Sequence, residues 1–248
     1  MMRSVRPGDC ILEAAVRLTG VHCMKITTAR FLTAAENPRS YPRGGLTELA
    51  FAGRSNVGKS STINALLGRH HLVKTSRTPG HTRKLNFFLI NDRFIFVDFP
   101  GYGFARVPTE IKKHWGPMVE TYLQQRKELA GVVVVVDVRV APTETDTQLI
   151  GFLKSHNTPL ILVATKADKL PHGKRIAQLR EIQEKVGGDL PVVIFSSRTG
   201  LGKNELWKQV KSLIECWRPE GNDRSVARVG ARSRELTENE EGKERPHG

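Results

Sequence analysis

The chain is poor in cysteine, in long apolar runs and in acidic charge. Three cysteines, Cys10, Cys23 and Cys216, stand far apart in 248 residues and are odd in number. That argues against a disulfide framework or a cysteine-based zinc site and favours a reduced, cytosolic protein. No apolar run approaches the ~18 residues of a membrane-spanning helix. The longest, Val132–Val136, has the length of a strand. The basic N-terminus has Glu13 inside its apolar stretch and makes a poor secretory signal. No internal repeat is visible.

Acidic residues number 25 against 39 Lys plus Arg, for a net charge of +14. The excess is not in the ends. Residues 218–248 carry equal numbers of acidic and basic groups, and residues 1–23 net about +1, so nearly all of it lies between. A positive excess on a folded region points to a polyanionic partner; the bland alternative is simple solubility. With 39% hydrophobic residues the chain can build a core.

The ends differ from the middle. Residues 1–23 are weakly patterned, and a coherent segment starts at Met24, so 1–23 are read as an N-terminal extension and Met24 as an alternative start. Residues 218–248 are polar, mixed in charge and almost free of apolar groups, which predicts a disordered tail. Between them strands and helices alternate. Strands are expected at Glu48–Ala52, Leu85–Ile90, Arg93–Asp98, Gly131–Asp137, Leu160–Thr165 and Val192–Ser196. Helices are expected at Lys59–Leu67, Thr109–Leu129, Thr145–Ser155, Lys174–Val186 and Lys203–Cys216. The valine run and Leu160–Ala164 are apolar on both faces, as strands covered by helices on each side are. Asn91-Asp92 reads as a tight hairpin turn. The sum is an α/β fold: a six-stranded, mostly parallel sheet with one antiparallel edge strand and helices on both faces.

Gly53-Arg54-Ser55-Asn56-Val57-Gly58-Lys59-Ser60 matches G-x-x-x-x-G-K-[ST] between an expected strand and an expected helix, the context a phosphate-binding loop requires. Its glycines let the amides turn inward, and the helix N-terminus adds positive partial charge. Lys59 brings a mobile cation to the β- and γ-phosphates, and Ser60, followed by Ser61, brings a hard oxygen ligand for Mg²⁺. Asp98-Phe99-Pro100-Gly101 ends the third strand. Asp98 there can hold Mg²⁺ through water, and Gly101 can bring its amide to the γ-phosphate. Thr165-Lys166-Ala167-Asp168 follows a buried strand; its carboxylate can accept two hydrogen bonds from guanine, a pattern adenine lacks. Lys166 can lay its stem along the base and brace the phosphate loop. Phe195-Ser196-Ser197 is expected to offer amides to guanine O6. The polar stretch Arg77–Lys84, containing Gly80, His81, Thr82 and Arg83, is expected to be a mobile loop in which Thr82, ahead of Thr78, closes on Mg²⁺ and the γ-phosphate.

GRSNVGKSS, TPGHTRKLNFF, DFPGYGFA, TKAD and FSS together resemble the EngB (YsxC, YihA-type) family of bacterial ribosome-biogenesis GTPases, over about Met24 to Trp217. The resemblance implies the P-loop GTPase fold in a G domain of 24–217. It also implies GTP and GDP as ligands, Mg²⁺ held by Ser60 and Thr82, and a role in large-subunit assembly with a link to cell division and septation. The site would comprise Gly53–Ser61, Gly80–Lys84, Asp98–Gly101, Thr165–Asp168 and Phe195–Ser197, with Lys59, Thr82 and Gly101 nearest the chemistry. Where the family usually has Lys or Arg, this chain has His81. A cytoplasmic monomer that binds ribosomal precursors and rRNA, and no membrane, is expected. GTPases coupled to tRNA modification are the alternative, and a nucleotide-binding protein without turnover a third.

Ras-like GTPases place a water-orienting glutamine after the D-x-x-G glycine. Here Tyr102 stands there, so slow intrinsic hydrolysis is expected. Asn56 resembles a potassium ligand of related GTPases, so K⁺ or RNA is expected to accelerate turnover. Arg54, Arg69, Lys74, Arg77, Arg83, Lys84 and Arg106 flank these loops as a basic face for RNA phosphates. His70-His71 is read as a helix-end pair rather than a metal site, and Asp137 and Arg139 as a pair holding their loop.

Overall fold

The computed structural model describes residues 24–73, 84–102, 109–188 and 190–217, with side chains of 109–115 excepted. The expectations for 1–23, 74–83, 103–108 and 218–248 lie outside the described residues.

Among the described residues seven strands form one sheet in the order β1-β3-β4-β2-β5-β6-β7. They are β1 Ala29–Ala35, β2 Thr47–Gly53, β3 Leu85–Ile90, β4 Phe94–Asp98, β5 Leu129–Asp137, β6 Leu160–Thr165 and β7 Val192–Ile194. Among the described residues five α-helices accompany them: α1 Lys59–Leu67, α2 Thr109–Gln125, α3 Glu144–Ser155, α4 His172–Lys185 and α5 Lys203–Cys216. β2, β4, β5, β6 and β7 pair in parallel. β3 alone runs against the rest, antiparallel to both β4 and β1.

The expected fold class is therefore present, with two differences in detail. The sheet has a seventh strand, and the reversed strand lies one place in from the edge. β1 escapes a pattern reading because it is an edge strand with no clean alternation: Phe31 is 52% exposed, and a bulge between Phe31 and Thr33 breaks its register. The hairpin turn is where it was expected. Asn91 and Asp92 adopt φ of 50° and 51°, which these short polar residues tolerate. Asn91 also anchors the segment before β1, its Oδ1 accepting the Thr27 and Thr28 amides at 2.8 and 3.1 Å. α2 stops at Gln125, short of the expected Leu129, because Leu129 pairs with Glu48 and enters the sheet. β7 ends at Ile194 because the Ser196 amide turns to Leu201 O at 3.0 Å.

Alternation along the strands divides the core into two layers. On one face Ala50, Val97, Val132 and Val134 pack with Tyr122 of α2, Ile150 and Leu153 of α3 and Ile182 of α4. On the other, Phe51, Phe96, Val133 and Val163 pack with Ile63 and Leu66 of α1 and with Leu206, Trp207 and Val210 of α5. Trp207 joins the two helices, donating Nε1–H to Leu66 O at 3.0 Å and stacking on Phe96. Burying such side chains stabilises by roughly 1.5–3 kcal/mol each. The rigid sheet this produces presents its carboxyl-terminal edge to the loops that bear the motifs.

Candidate functional site

β2, β4, β5 and β6 end side by side, and the loops that leave them meet. The phosphate loop begins where β2 ends at Gly53 and turns into α1 at Lys59. Two residues in it have positive φ, Asn56 at 64° and Gly58 at 108°; the second is a conformation that a residue with a Cβ rarely adopts. Val57 is buried in the core, so it offers the site only its backbone. Ser60 and Ser61 open α1, half-buried.

Lys59 and Asp98 form a buried ion pair at the floor of this loop, their side chains 9% and 5% exposed. Asp98 is the last residue of β4, parallel to β2 with Phe51 opposite it. Phe99 lies wholly in the core, and its amide bonds Phe51 O at 3.0 Å. Gly101 has a second reason to be glycine: a Cβ there would collide with the Ser55 side chain and lie 3.0 Å from Ser55 Cα. The chain after Asp98 is thus laid against the phosphate loop. The Ser55 amide donates to Tyr102 O at 3.0 Å, and Arg54 and Tyr102 form an isolated parallel bridge.

Tyr102, in the place of the Ras-like glutamine, is 5% exposed, and its hydroxyl donates to Asp146 Oδ1 at 2.9 Å. The other oxygen of Asp146 caps α3, accepting from Thr143 N at 2.8 Å and Thr143 Oγ1 at 2.7 Å. Burial, then the adjacent Asp146 carboxylate, push the Tyr102 phenol well above its ordinary range. It is a neutral hydrogen-bond donor tied to α3, not a base.

The Thr165–Asp168 loop is joined to the phosphate loop. Thr165 Oγ1 lies 2.5 Å from Val57 O and 2.9 Å from Val136 O. Lys166 donates to Asn56 O at 2.5 Å, so the expected bracing is present. Its ammonium also lies 2.9 Å from Asp137 Oδ2. Asp137 in turn receives Arg139 Nε at 2.9 Å and Nη2 at 2.7 Å. Burial alone would raise the Asp137 carboxyl, but the Arg139 and Lys166 hydrogen bonds outweigh it and lower it to about 2. Asp168 is half-buried and receives Ser196 Oγ–H at 2.7 Å, which orients the carboxylate and holds it below the ordinary range.

Two sets of expected contacts meet other partners in this structure. Of the three residues expected to offer amides to guanine O6, Ser197 is exposed, and Phe195 and Ser196 have theirs bonded within the fold. The Phe195 N–H bonds Ala164 O at 2.8 Å, continuing the β6–β7 ladder, and the Ser196 N–H bonds Leu201 O. Ser196 serves instead through its hydroxyl; Phe195 is core, and its carbonyl accepts the Ala167 N–H at 3.2 Å. Lys84 is exposed and paired with Glu36 at 3.2 Å rather than joined to this cluster, because the Ala35–Leu85 pairing brings Glu36 beside it. Gly80, His81, Thr82 and Arg83 lie outside the described residues, as do Lys74, Arg77, Thr78 and Arg106. Of the remaining expected basic face, Arg69 is exposed with its Nη2 on Thr27 O at 3.0 Å, and Arg54 is half-buried. His70 and His71 are exposed, and no group of three metal-binding His, Cys, Asp or Glu occurs among the described residues.

The donors at hand, the Ser60 hydroxyl and the Asp98 carboxylate, are hard oxygens, and Mg²⁺ takes few protein ligands when a substrate's phosphates supply others. Two residues whose weight the motifs do not show are Asp137, which touches Lys166, and Asp146, which holds Tyr102. The T-x-x-D capping box at Thr143–Asp146 is legible in the sequence; its contact with Tyr102 is not.

Residues 48–166 match the family described as 50S ribosome-binding GTPase. The chain is 48% identical over 193 residues to a probable GTP-binding protein EngB of Desulfatibacillum aliphaticivorans, covering 77% of this chain and 94% of that protein. Its fold is similar to the crystal structure of a probable GTP-binding protein EngB, with a TM-score of 0.58 at 25% identity, covering 68% of this chain and 99% of that one. It is also similar to Era crystallised with MgGDPNP and nucleotides 1506–1542 of 16S ribosomal RNA. There the TM-score is 0.54 at 28% identity, covering 73% of this chain and 59% of that one.

Proposed function

The chain belongs to the EngB family of GTP-binding proteins, and from that premise we propose that it is a slow GTP-hydrolysing switch in assembly of the large ribosomal subunit. The observation that carries this reading is the joining of a phosphate loop to an acidic base-reading loop through Thr165 and Lys166. A ligand held by both must carry a polyphosphate at one end and, at the other, a base with two donors for Asp168. GTP meets both demands. Mg²⁺, held by Ser60 and Asp98 with Thr82, would supply charge neutralisation of the β- and γ-phosphates.

The G domain would comprise 24–217, flanked by an extension of 1–23 and a charged tail of 218–248. The positive excess supports rRNA as partner, as does the rRNA-bound state of Era and the ribosome-binding description of the family. Cytoplasmic location and a link to cell division and septation belong to the same reading. With the Tyr102 hydroxyl turned to Asp146, no side chain at that place orients a water, and turnover by the isolated protein is slow. K⁺ at Asn56, which is exposed at the mouth of the loop, would add the missing positive charge. Equal turnover in K⁺ and Na⁺, unchanged by Asn56→Ala, would remove that part.

The test is sedimentation of the protein with ribosomal subunits and their precursors, with GDP and with a non-hydrolysable GTP analogue. Retention on 50S precursors that is tighter with the analogue and falls steeply with salt is expected. Equal retention in both states would sink the switch. Calorimetry in Mg²⁺ buffer with GTP, GDP and ATP checks the ligand: heat with the first two and none with ATP is expected.

A further inference from the structure

We propose that Asp137 is a positioning residue for guanine-nucleotide binding, acting through Lys166 and itself locked by Arg139; the inference rests on the nucleotide reading above. Asp137 ends β5, opposite Thr165 on β6, so the sheet register sets it beside the base-reading loop. Its side chain is 11% exposed and lies between two cations, the Arg139 guanidinium and the Lys166 ammonium. Arg139 makes a two-pronged contact that fixes both the position and the rotation of the carboxylate, and its own amide adds a third bond at 3.1 Å. Lys166 thereby meets an acceptor that cannot turn away.

Lys166 needs such a hold. Its backbone is in the left-handed region at φ 61°, and among the described residues it is the one positive-φ residue that is neither glycine, asparagine nor aspartate. That conformation is unfavourable for a long side chain and persists only where the surroundings impose it. Its ammonium spans from Asp137 to Asn56 O, so one side chain ties the ends of β5 and β6 to the phosphate loop. Without Asp137, Lys166 would retain the carbonyl but lose its charged partner. The stem would regain rotamer freedom, and the wall it builds between phosphate loop and base would have to be ordered again each time a nucleotide binds. The sequence shows Asp137 and Arg139 only as a local pair; the contact with Lys166 makes that pair part of the binding site.

A thermodynamic cycle tests this, with GDP affinity and dissociation rate measured by a fluorescent GDP analogue and melting of the nucleotide-free protein measured alongside. Asp137→Ala is expected to weaken GDP binding about tenfold, chiefly through faster dissociation. Lys166→Ala should do at least as much, and the double variant should match Lys166→Ala within about twofold. Losses that multiply in the double variant, or an Asp137→Ala affinity within about twofold of wild type, would overturn the proposal. A purely structural Asp137 would lower melting and leave affinity alone. Should Asp137→Ala fail to fold, Asp137→Asn and Arg139→Ala decide. Arg139→Ala should weaken GDP binding about threefold in the wild-type background and not at all with Lys166→Ala. Equal effects in both backgrounds would overturn the proposal. A wild-type chain that bound neither GDP nor GTP would instead remove the nucleotide reading beneath it.

Discussion

Glu48 and Asp98 are buried carboxylates at opposite ends of the same sheet. Glu48 is the second residue of β2 and Asp98 the last of β4. Glu48 is wholly buried and closed off. It accepts from Tyr122 Oη at 2.5 Å, from Arg126 Nε at 2.9 Å and from Arg126 Nη2 at 2.5 Å. Arg126 also reaches Pro42 O at 2.7 Å and Glu128 at 3.2 Å, with its guanidinium over the Tyr41 ring. Burial, then the neighbouring Glu48, push the Tyr122 phenol well above its ordinary range, so it stays a donor. Asp98 instead meets Lys59, the first residue of α1 after the phosphate loop. A closed network holds structure together. The Lys59–Asp98 pair instead joins the start of α1 to the end of β4, where the motif loops meet.

The largest effect should come from opening the closed end. Arg126→Met leaves Glu48 buried without its cation and should cost about 3–5 kcal/mol. Denaturant unfolding would show it, while GDP affinity in the folded fraction should not move. Next, Lys59→Ala should weaken GDP and GTP by about a hundredfold, since it removes charge-assisted bonds to phosphate; calorimetry reads this directly. If Arg126→Met changed affinity as much as Lys59→Ala, the division between the two ends would be wrong.

Smaller effects sharpen the comparison at the junction between them. Tyr102→Phe leaves one Asp146 oxygen short of a donor and should cost about 1 kcal/mol of stability. Single-turnover hydrolysis should be unchanged, because the hydroxyl is spent on Asp146. A lost turnover would show that this hydroxyl serves the reaction. The smallest change is in acid. The Asp137 carboxyl lies at about 2 against an ordinary 3.8. A lowered value stabilises the fold above the unfolded group's pKa, and that stability is lost as pH falls from about 4 towards 2. Asp137→Asn should therefore remove a small part of the stability at neutral pH, and its gap to wild type should close as pH falls from about 4 towards 2, which flattens the acid limb.

The phosphate loop, the Asp98 turn and the Thr165–Asp168 loop were legible as elements because each depends on residue types at short, fixed spacing. Glycine at 58 and lysine at 59 express local backbone and charge demands. The hairpin at Asn91-Asp92 was legible for the same reason. β1 was not, because an edge strand has no buried alternation to display. Nor was the placement of Ser196, whose hydroxyl meets Asp168 while its amide is taken up by Leu201 O. That choice is made by Leu201, five residues on, which takes the amide only when the chain turns back into α5.

Sequence alone determined which residue types stand together at motif spacing and that alternating strands and helices would carry them, since these follow from local chemistry and periodicity. Tertiary structure decided which groups would be spent on each other. Lys166 is joined to Asp137, Tyr102 to Asp146 and Arg126 to Glu48 across separations that no motif spans. The physical reason is that a buried charge or hydroxyl must find a partner wherever the sheet's register places one, and register is a property of the assembled sheet.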